Sequence, residues 1–175
     1  MLDKFRAATL EDLDEASQFY IDICEDLPNS EYGPAWVWGA HPSREILLDA
    51  IKHGKLLLGY KGNQIAAAGV VTYGEDESYR GANWKYPVTD SEIGVIHIFA
   101  VSPKFRGQGI SRDMLQAIMA DIKHDGYKLI HLDALKSNVP AVKLYARNGF
   151  EFVEDRDVEL KAVGVRTLSI MEYKL

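Results

Sequence analysis

Apolar residues change their spacing several times along the chain, and each change predicts a new element of secondary structure. They recur every three or four positions over residues 10–23 and again over residues 44–53, which is typical of amphipathic helices. A hydroxyl residue precedes each helix as a candidate N-cap, Thr9 in the first case and Ser43 in the second. The buried stripe predicted for the first helix consists of Leu10, Leu13, Ala16, Tyr20 and Ile23.

Runs of apolar residues predict three strands in the first half of the chain, over residues 3–8, 55–60 and 64–73. Gly62 lies between the last two runs and tolerates the positive φ of a tight turn, so these two runs should form a hairpin. Residues 27–42 are rich in proline and tryptophan and predict an ordered loop. Residues 74–91 break every periodicity and predict a long exposed loop with solvated acids.

Strands and helices alternate in the second half, which predicts a crossover unit and a mixed α/β architecture. The predicted elements are a strand over 93–101, a helix over 110–126, a strand over 128–135, a helix over 138–149 and strands over 150–155 and 165–175. The two strands that flank the first of these helices should be parallel, because a crossover helix returns the chain to the same end of the sheet. The last two strands should pair as an antiparallel edge.

Composition narrows the class of protein. A chain of 175 residues with 47% hydrophobic content can bury one sizeable core, so a single domain over residues 1–175 is expected. The net charge of -6 disfavours general binding to nucleic acid or to anionic membranes. The single cysteine, Cys24, cannot form an internal disulfide, and the first residues do not resemble a secretion signal, so a cytoplasmic protein is expected.

The segment SPKFRGQGIS, from Ser102 to Ser111, joins the strand 93–101 to the following helix and is a candidate anion site. A tight loop that leads into a helix leaves the first amides unpaired, and the helix dipole favours an anion in front of them. Gly107 and Gly109 lack the side chains that would hold an anion away from the backbone. The segment is neither a P-loop, which has Lys-Ser or Lys-Thr after its last glycine, nor a three-glycine dinucleotide fingerprint.

A larger pattern surrounds this loop. The sequence Arg-x-x-Gly-x-small at residues 106–111 follows HIFAV and precedes, by one helix and one strand, NVPAVKLYARNGF; together they resemble the GCN5-related N-acetyltransferase (GNAT) superfamily. The resemblance is strong over residues 92–153, and the order of elements over residues 4–73 is compatible with it. It implies a mixed, mostly antiparallel sheet of about seven strands flanked by about four helices. It also implies transfer of an acetyl group from acetyl-CoA to a primary amine, by direct attack in a ternary complex without a metal.

The resemblance also assigns a donor site. Backbone groups of Phe99, Ala100 and Val101 are expected to pair with the pantetheine arm of acetyl-CoA. Asn138 matches a position that commonly contacts the cofactor. Ser111 stands where members of the superfamily usually have glycine or alanine. The loop expected to surround the pyrophosphate consists of Arg106, Gly107, Gln108, Gly109, Ile110, Ser111 and Arg112.

Three residues are candidates for proton transfer. Tyr145 matches the tyrosine that protonates the departing thiolate in many members, although its position also suits an ordinary core aromatic. His97 is the only histidine on the strand that leads into the loop, and an ordinary pKa near ~6.5 suits a base, but it suits a hydrogen bond inside the sheet equally well. Glu92 is the second candidate for the base. The backbone N–H of Val101 is the expected donor to the thioester oxygen.

Several alternatives stay open. The protein can be a non-catalytic acyl-CoA-binding module on the same fold, or it can transfer a different acyl group. The acceptor can be a small amine, an amino acid, a polyamine or a peptide end, in a pocket walled by aromatic residues of the loops 27–42 and 74–91. The C-terminal edge strand can pair between two chains, so a homodimer is a further alternative.

Overall fold

A seven-stranded sheet forms the centre of the computed structural model, which describes all residues 1–175. The strands are β1 (Lys4–Ala7), β2 (Lys55–Lys61), β3 (Gln64–Tyr73), β4 (Ile93–Val101), β5 (Leu129–Leu135), β6 (Glu151–Leu160) and β7 (Gly164–Lys174). The helices are α1 (Leu13–Asp26), α2 (Arg44–His53), α3 (Ile110–His124) and α4 (Val139–Arg147). The predicted fold class is therefore confirmed. None of the helices has the length and apolar character that crossing a bilayer requires.

The order of strands is β1-β2-β3-β4-β5-β7-β6. β4 and β5 are parallel, with α3 as the crossover between them, and all other neighbouring strands are antiparallel. Both predictions about topology are confirmed, since β6 pairs with β7 as an antiparallel edge. The parallel pair lies at the centre of the sheet, with α3 on one face and residues of the segment 74–91 on the other.

Two large hydrophobic clusters hold the helices on opposite faces. On one face, Met114, Leu115 and Ile118 of α3 pack on β3, β4 and β5. On the other face, Tyr20 of α1 and Leu47 of α2 pack on β2, β3 and β4. Because both faces are covered, β2 and β3 are buried along almost their whole length, which explains why they read as continuous apolar runs.

The first helix begins later than the sequence predicted. A 3₁₀ turn over Leu10–Asp12 precedes α1, and Asp12 accepts a hydrogen bond from the Thr9 N–H at 2.7 Å while both of its oxygens bind the Arg6 guanidinium. The prediction that Leu10 is buried was wrong, because the turn rotates it outward and leaves 58% of its surface exposed. Phe19 occupies the buried stripe instead.

The segment of residues 74–91 is exposed at most positions, Glu77 included, as the sequence predicted, but part of it packs on the sheet. Its Tyr79 is buried, and its Trp84 stacks on His131 of β5 with 3.6 Å between ring centroids. Glu75 was expected to be solvated, yet its side chain is 6% exposed and accepts a hydrogen bond from His131 at 3.0 Å. No sequence signal indicated this packing, because the aromatic residues of the segment follow neither helical nor strand spacing. The segment covers the part of the sheet that α1 and α2 leave open.

Candidate active site

A gap between β4 and β5 is the central feature of the candidate site. The two strands pair only from Ile93 to Ile96 on β4, opposite Leu129 to Leu132 on β5, and then separate. The last residues of β4 therefore have no strand beside them on this edge. Unpaired backbone groups of a strand can bind an extended chain of another molecule, so the gap is a slot with hydrogen-bonding groups on one wall.

A β-bulge shapes this edge of β4. Gly69 of β3 faces two residues of β4, because Ala68 is opposite Ala100 whereas Val70 is opposite His97. The extra residue breaks the alternation of side chains: His97 and Ile98 lie on the α1 face, and Phe99 then lies on the α3 face. Gly69 permits the close approach of α3, since a Cβ there would lie 3.0 Å from a methyl of Ile118.

The backbone after the bulge directs one amide into the gap. The N–H of Ser102 donates to the carbonyl of Ala66 in β3 at 2.9 Å. Successive residues of a strand direct their N–H groups to alternate sides, so the N–H of Val101 is directed away from β3 and toward the gap. This amide is suitably oriented to donate to an oxygen inside the slot.

The loop after β4 forms a cradle of free amides. None of the five backbone N–H groups of residues 107–111 has a hydrogen-bond partner within the protein. Gly107 and Gly109 have φ values of 75° and 78°, which only glycine adopts without strain, and Gly109 precedes α3 directly. Converging free amides in front of a helix N-terminus are typical of a phosphate site. Arg106 does not face the cradle: its guanidinium pairs with Asp26 of α1 at 2.8 Å.

A basic groove of about 1120 Å³ continues from the cradle between α3 and α4. Its cations are Arg112 of α3 and Lys143 and Arg147 of α4, and no acidic residue lines it. Ser111 lies where the cradle and the groove meet. Sequence reasoning missed Lys143 and Arg147, although their spacing of four positions places them on one face of a helix and was a usable signal.

Tyr145 on α4 contributes a buried phenol near the gap. Its ring packs edge to face with Phe99, with 6.3 Å between centroids, and only 5% of the residue is exposed. Burial raises the pKa of the Tyr145 hydroxyl, and the charge of Asp133 raises it further, so the phenol keeps its proton at neutral pH. Its hydroxyl makes no hydrogen bond within the protein. Asn138 precedes α4 with its side chain uninvolved in capping, and it is half-buried.

His97 lies at the mouth of the gap on the α1 face. Its Nε2 is 2.8 Å from the hydroxyl of Thr72, and the carboxylate of Asp76 is 4.0 Å away. Burial lowers the pKa of His97, whereas the charge of Asp76 opposes this effect, and the net shift is downward from 6.5. His97 is therefore mainly neutral at pH 7 and able to accept a proton.

Asp133 is a second acidic group at this mouth, and sequence reasoning missed it. The last pair between β4 and β5 joins Ile96 to Leu132, and the next residues on the two strands are His97 and Asp133. The hydroxyl of Tyr79 donates to its carboxylate. Burial raises the pKa of Asp133, and the nearby charge of Asp76 adds to the rise while the hydrogen bond opposes it. The only signal in the sequence was an acid inside an otherwise apolar strand.

Glu92 lies at the opposite end of β4 and does not fit the role of a base. Its carboxylate accepts a hydrogen bond from the Thr89 N–H at 2.8 Å and pairs with the ammonium of Lys128. These contacts, with Lys128 as the main cause, lower the pKa of Glu92 to about 2. His97 is five residues further along the strand, a distance of about 16 Å at ~3.3 Å per residue. Glu92 closes a 3₁₀ turn and anchors the start of β4.

Comparisons with known proteins bear on the family and the fold of the chain. The sequence model of the family described as "Acetyltransferase (GNAT) family" matches residues 17–150. Among characterised sequences, the chain is 29% identical over 90 residues to a mycothiol acetyltransferase of Brachybacterium faecium, which covers 50% of this chain and 27% of that protein. An uncharacterised N-acetyltransferase of Methanocaldococcus jannaschii is 32% identical over 69 residues, or 39% of this chain and 30% of that protein. The chain thus spans less than a third of either relative.

Solved structures share the fold over nearly the whole chain. The yncA protein of Salmonella typhimurium, solved with its cofactor acetyl-CoA, superimposes with a TM-score of 0.70 at 13% identity, covering 98% of this chain and 93% of that one. A ribosomal-protein-alanine N-acetyltransferase from Brucella melitensis has a TM-score of 0.70 at 16% identity, covering 98% of this chain and 99% of that one. At these identities the likeness establishes the fold.

The position of Glu92 predicts an effect on stability alone. A carboxylate whose pKa is lowered on folding stabilises the protein above its ordinary pKa of 4.5 and loses that contribution as the pH falls toward about 2. Glu92→Gln should therefore lower the Tm at pH 7, and the difference from wild type should shrink steadily below pH 4.5. Glu11→Gln, which changes an exposed acid without an ion-pair partner, should leave the Tm unchanged. A difference in Tm that persists unchanged at pH 3 would contradict this account.

Proposed function

The chain belongs to the GNAT acetyltransferase family, and on that premise we propose that it transfers the acetyl group of acetyl-CoA to the primary amine of a cationic acceptor. One observation carries the proposal. The free edge of β4, the cradle of residues 107–111 and the basic groove between α3 and α4 form one continuous surface. Along this surface the free edge of β4 comes first, then the amides of the cradle, then the cations of the groove. In acetyl-CoA a pantetheine arm, a diphosphate and a phosphorylated nucleoside follow one another in the same order.

The residues of this surface fit the donor part by part. Backbone groups of residues 99–101 would pair with the amides of the pantetheine arm. The N–H groups of residues 107–111 would hold the diphosphate without a side chain, because the helix dipole of α3 favours negative charge at the same place. Arg112, Lys143 and Arg147 would bind the remaining phosphate, and the absence of acids from the groove leaves their charge uncompensated. Arg106 supports the loop through Asp26 instead.

Two groups of the chain suit the collapse of a thioester. Acetyl-CoA supplies an acyl carbon open to attack and a thiolate leaving group. The N–H of Val101 is placed to donate to the acyl oxygen as negative charge develops on it. Tyr145 is a protonated, buried phenol without an internal partner, so its proton is available to the departing sulfur.

His97 suits the removal of a proton from the amine. Its lowered pKa leaves the imidazole neutral at pH 7. The role uses the tautomer in which Nε2–H donates to Thr72, since Nδ1 then keeps the lone pair that accepts the proton directly or through water. Direct transfer within a ternary complex needs no acyl-enzyme, which agrees with the placement of Cys24 on α1 rather than in the gap.

The charge at the mouth of the gap favours one class of acceptor. Asp76 lies 4.0 Å from His97, Asp133 directly follows the last residue of β5 that pairs with β4, and the aromatic residues Trp36 and Trp38 pack on the α1 face. Carboxylates in a partly buried site attract an ammonium group and repel a second carboxylate. A small cationic amine is therefore favoured over an acceptor with an acidic group beside its amine.

Binding of acetyl-CoA tests the proposal directly. Calorimetry should detect binding at submillimolar acetyl-CoA, and the double variant Lys143→Ala/Arg147→Ala should weaken it about tenfold or more by removing two charged phosphate contacts. Lys161→Ala is the matched control, because Lys161 is an exposed cation on the turn between β6 and β7. Absence of binding to the wild type would refute the proposal. Binding without thiol release against a panel of amines would instead favour a non-catalytic acyl-CoA-binding module.

Replacing the phenol separates chemistry from binding. Tyr145→Phe keeps the ring against Phe99 but removes the proton donor, so kcat should fall about 100-fold, at the lower end of the usual range for a general acid. The Kd for acetyl-CoA should stay within about twofold. Tyr127→Phe is the control, since Tyr127 stacks on Tyr73 and its hydroxyl makes no hydrogen bond. An unchanged kcat for Tyr145→Phe would remove the acid role.

The base role predicts a pH profile. The acid limb of kcat/KM should lie below pH 6.5, because burial lowers the pKa of His97, and His97→Ala should abolish that limb. Asp76 favours protonated His97, so Asp76→Asn should lower the pKa of His97 further and move the limb to lower pH. The measurement is kcat/KM from pH 5 to 9 for the wild type and both variants. An identical profile in all three proteins would transfer the base role to water.

A further inference from the structure

One buried hydrogen bond joins helix α1 to the bulge in β4. The hydroxyl of Tyr20 donates to the carbonyl of Ile98 at 2.8 Å, across 78 positions of the sequence. Tyr20 is fully buried and Ile98 is 6% exposed, so water does not compete for this bond. The Tyr20 ring is held edge to face by Phe19 and Trp36, with centroid distances of 5.1 Å and 6.1 Å. The hydroxyl is therefore fixed in place before any ligand binds.

The residue that receives this bond has an unusual backbone. Ile98 has a φ of 40°, and the only other non-glycine residue with a positive φ is Ala162, in the turn between β6 and β7. A β-branched side chain disfavours this conformation strongly, and such strain persists only where the surroundings enforce it. A buried carbonyl turned out of the sheet ladder also needs a donor. Tyr20 supplies that donor.

The bulge determines which way the end of β4 faces. Without the extra residue, Phe99 would lie on the same face as His97; with it, Phe99 lies beside Tyr145 on the opposite face. The same shift determines that the N–H of Val101 is directed into the gap rather than toward β3. The conformation of Ile98 thus determines the positions of Phe99 and of the Val101 N–H. The proposed function gives the backbone of both residues a direct role in binding the donor.

We propose that Tyr20 is a positioning residue of the donor site and acts through Ile98. Its hydroxyl holds the Ile98 carbonyl toward α1 and so keeps residues 99–101 in the shifted register. Tyr20 lies on the α1 face and its hydroxyl is bound to the backbone, so the effect reaches the donor through β4 and not by contact. This inference rests on the proposed function, because the register matters to activity only if the acyl donor occupies the gap.

The test compares two tyrosines that each lose one hydroxyl. Tyr20→Phe removes the bond to Ile98 and keeps the ring against Phe19 and Trp36. Tyr60→Phe is the matched control, since Tyr60 is 7% exposed, its hydroxyl accepts a hydrogen bond from Arg6 at 2.9 Å, and it lies on β2, which β3 separates from β4. The measurements are the Kd for acetyl-CoA by calorimetry, kcat, and amide hydrogen exchange of residues 98–101 without ligand.

Tyr20→Phe should bind acetyl-CoA about tenfold more weakly and should speed exchange at residues 98–101 by a similar factor, the size expected for one buried hydrogen bond. Tyr60→Phe should stay within about twofold of the wild type in both measurements, even if the two variants lose equal thermal stability. If the wild type binds acetyl-CoA and both variants keep its Kd, kcat and exchange rates, the inference is overturned and the proposed function stands. If the wild type does not bind, the proposed function fails and the inference fails with it.

Discussion

The separation of β4 from β5 after four paired residues is the constraint on which the rest of the site depends. A parallel pair at the centre of a sheet is normally bonded along its length, since buried backbone groups without partners cost free energy. Here the pairing ends at Ile96 and Leu132, and the bulge at Ile98 turns the remaining edge of β4 toward the opening. The gap so produced has a backbone edge that can bind an extended arm, and its two ends open on opposite faces of the sheet.

Those two faces differ in charge, and the proposed function would assign them to two different substrates. The α3 and α4 side has Arg112, Lys143 and Arg147 around the groove and no acid. The α1 side has Asp76 and Asp133 around His97. A chain with a net charge of -6 can therefore hold a polyanion locally, because free amides and three cations determine the potential where the anion lies. In the proposed function, Asp76 and Asp133 would hold an ammonium on the other side of the sheet from this polyanion.

Local signals in the sequence were sufficient for the elements and the cradle. Helical and strand periodicity, the crossover rule and the two glycines at 107 and 109 act over a few residues, so the order of elements and the loop were predictable. The bulge was not, because it inverts the alternation that a strand pattern assumes, and the hydroxyl that binds its carbonyl belongs to a tyrosine 78 positions away. Asp133 and the basic groove also needed the packed structure. Glu92 does not suit the role of a base because an extended strand places it about 16 Å from His97, at the far end from the gap.

The segment of residues 74–91 is held on the sheet by buried polar groups. Glu75 and Glu172 face the two ring nitrogens of His131, and the Lys85 N–H donates to Glu172 at 2.8 Å, so the segment is bound to the sheet at two points through buried carboxylates. The network is only partly satisfied, because Nε2 of His131 and Oε2 of Glu172 lie 3.9 Å apart and make no hydrogen bond, so its other contacts must offset the cost of burying them. The stack of Trp84 on His131 excludes water from these bonds and strengthens them. Asp76 follows Glu75 directly, so this anchoring fixes the carboxylate beside His97. The segment thus holds Asp76 beside His97, where the proposed function expects the amine of the acceptor.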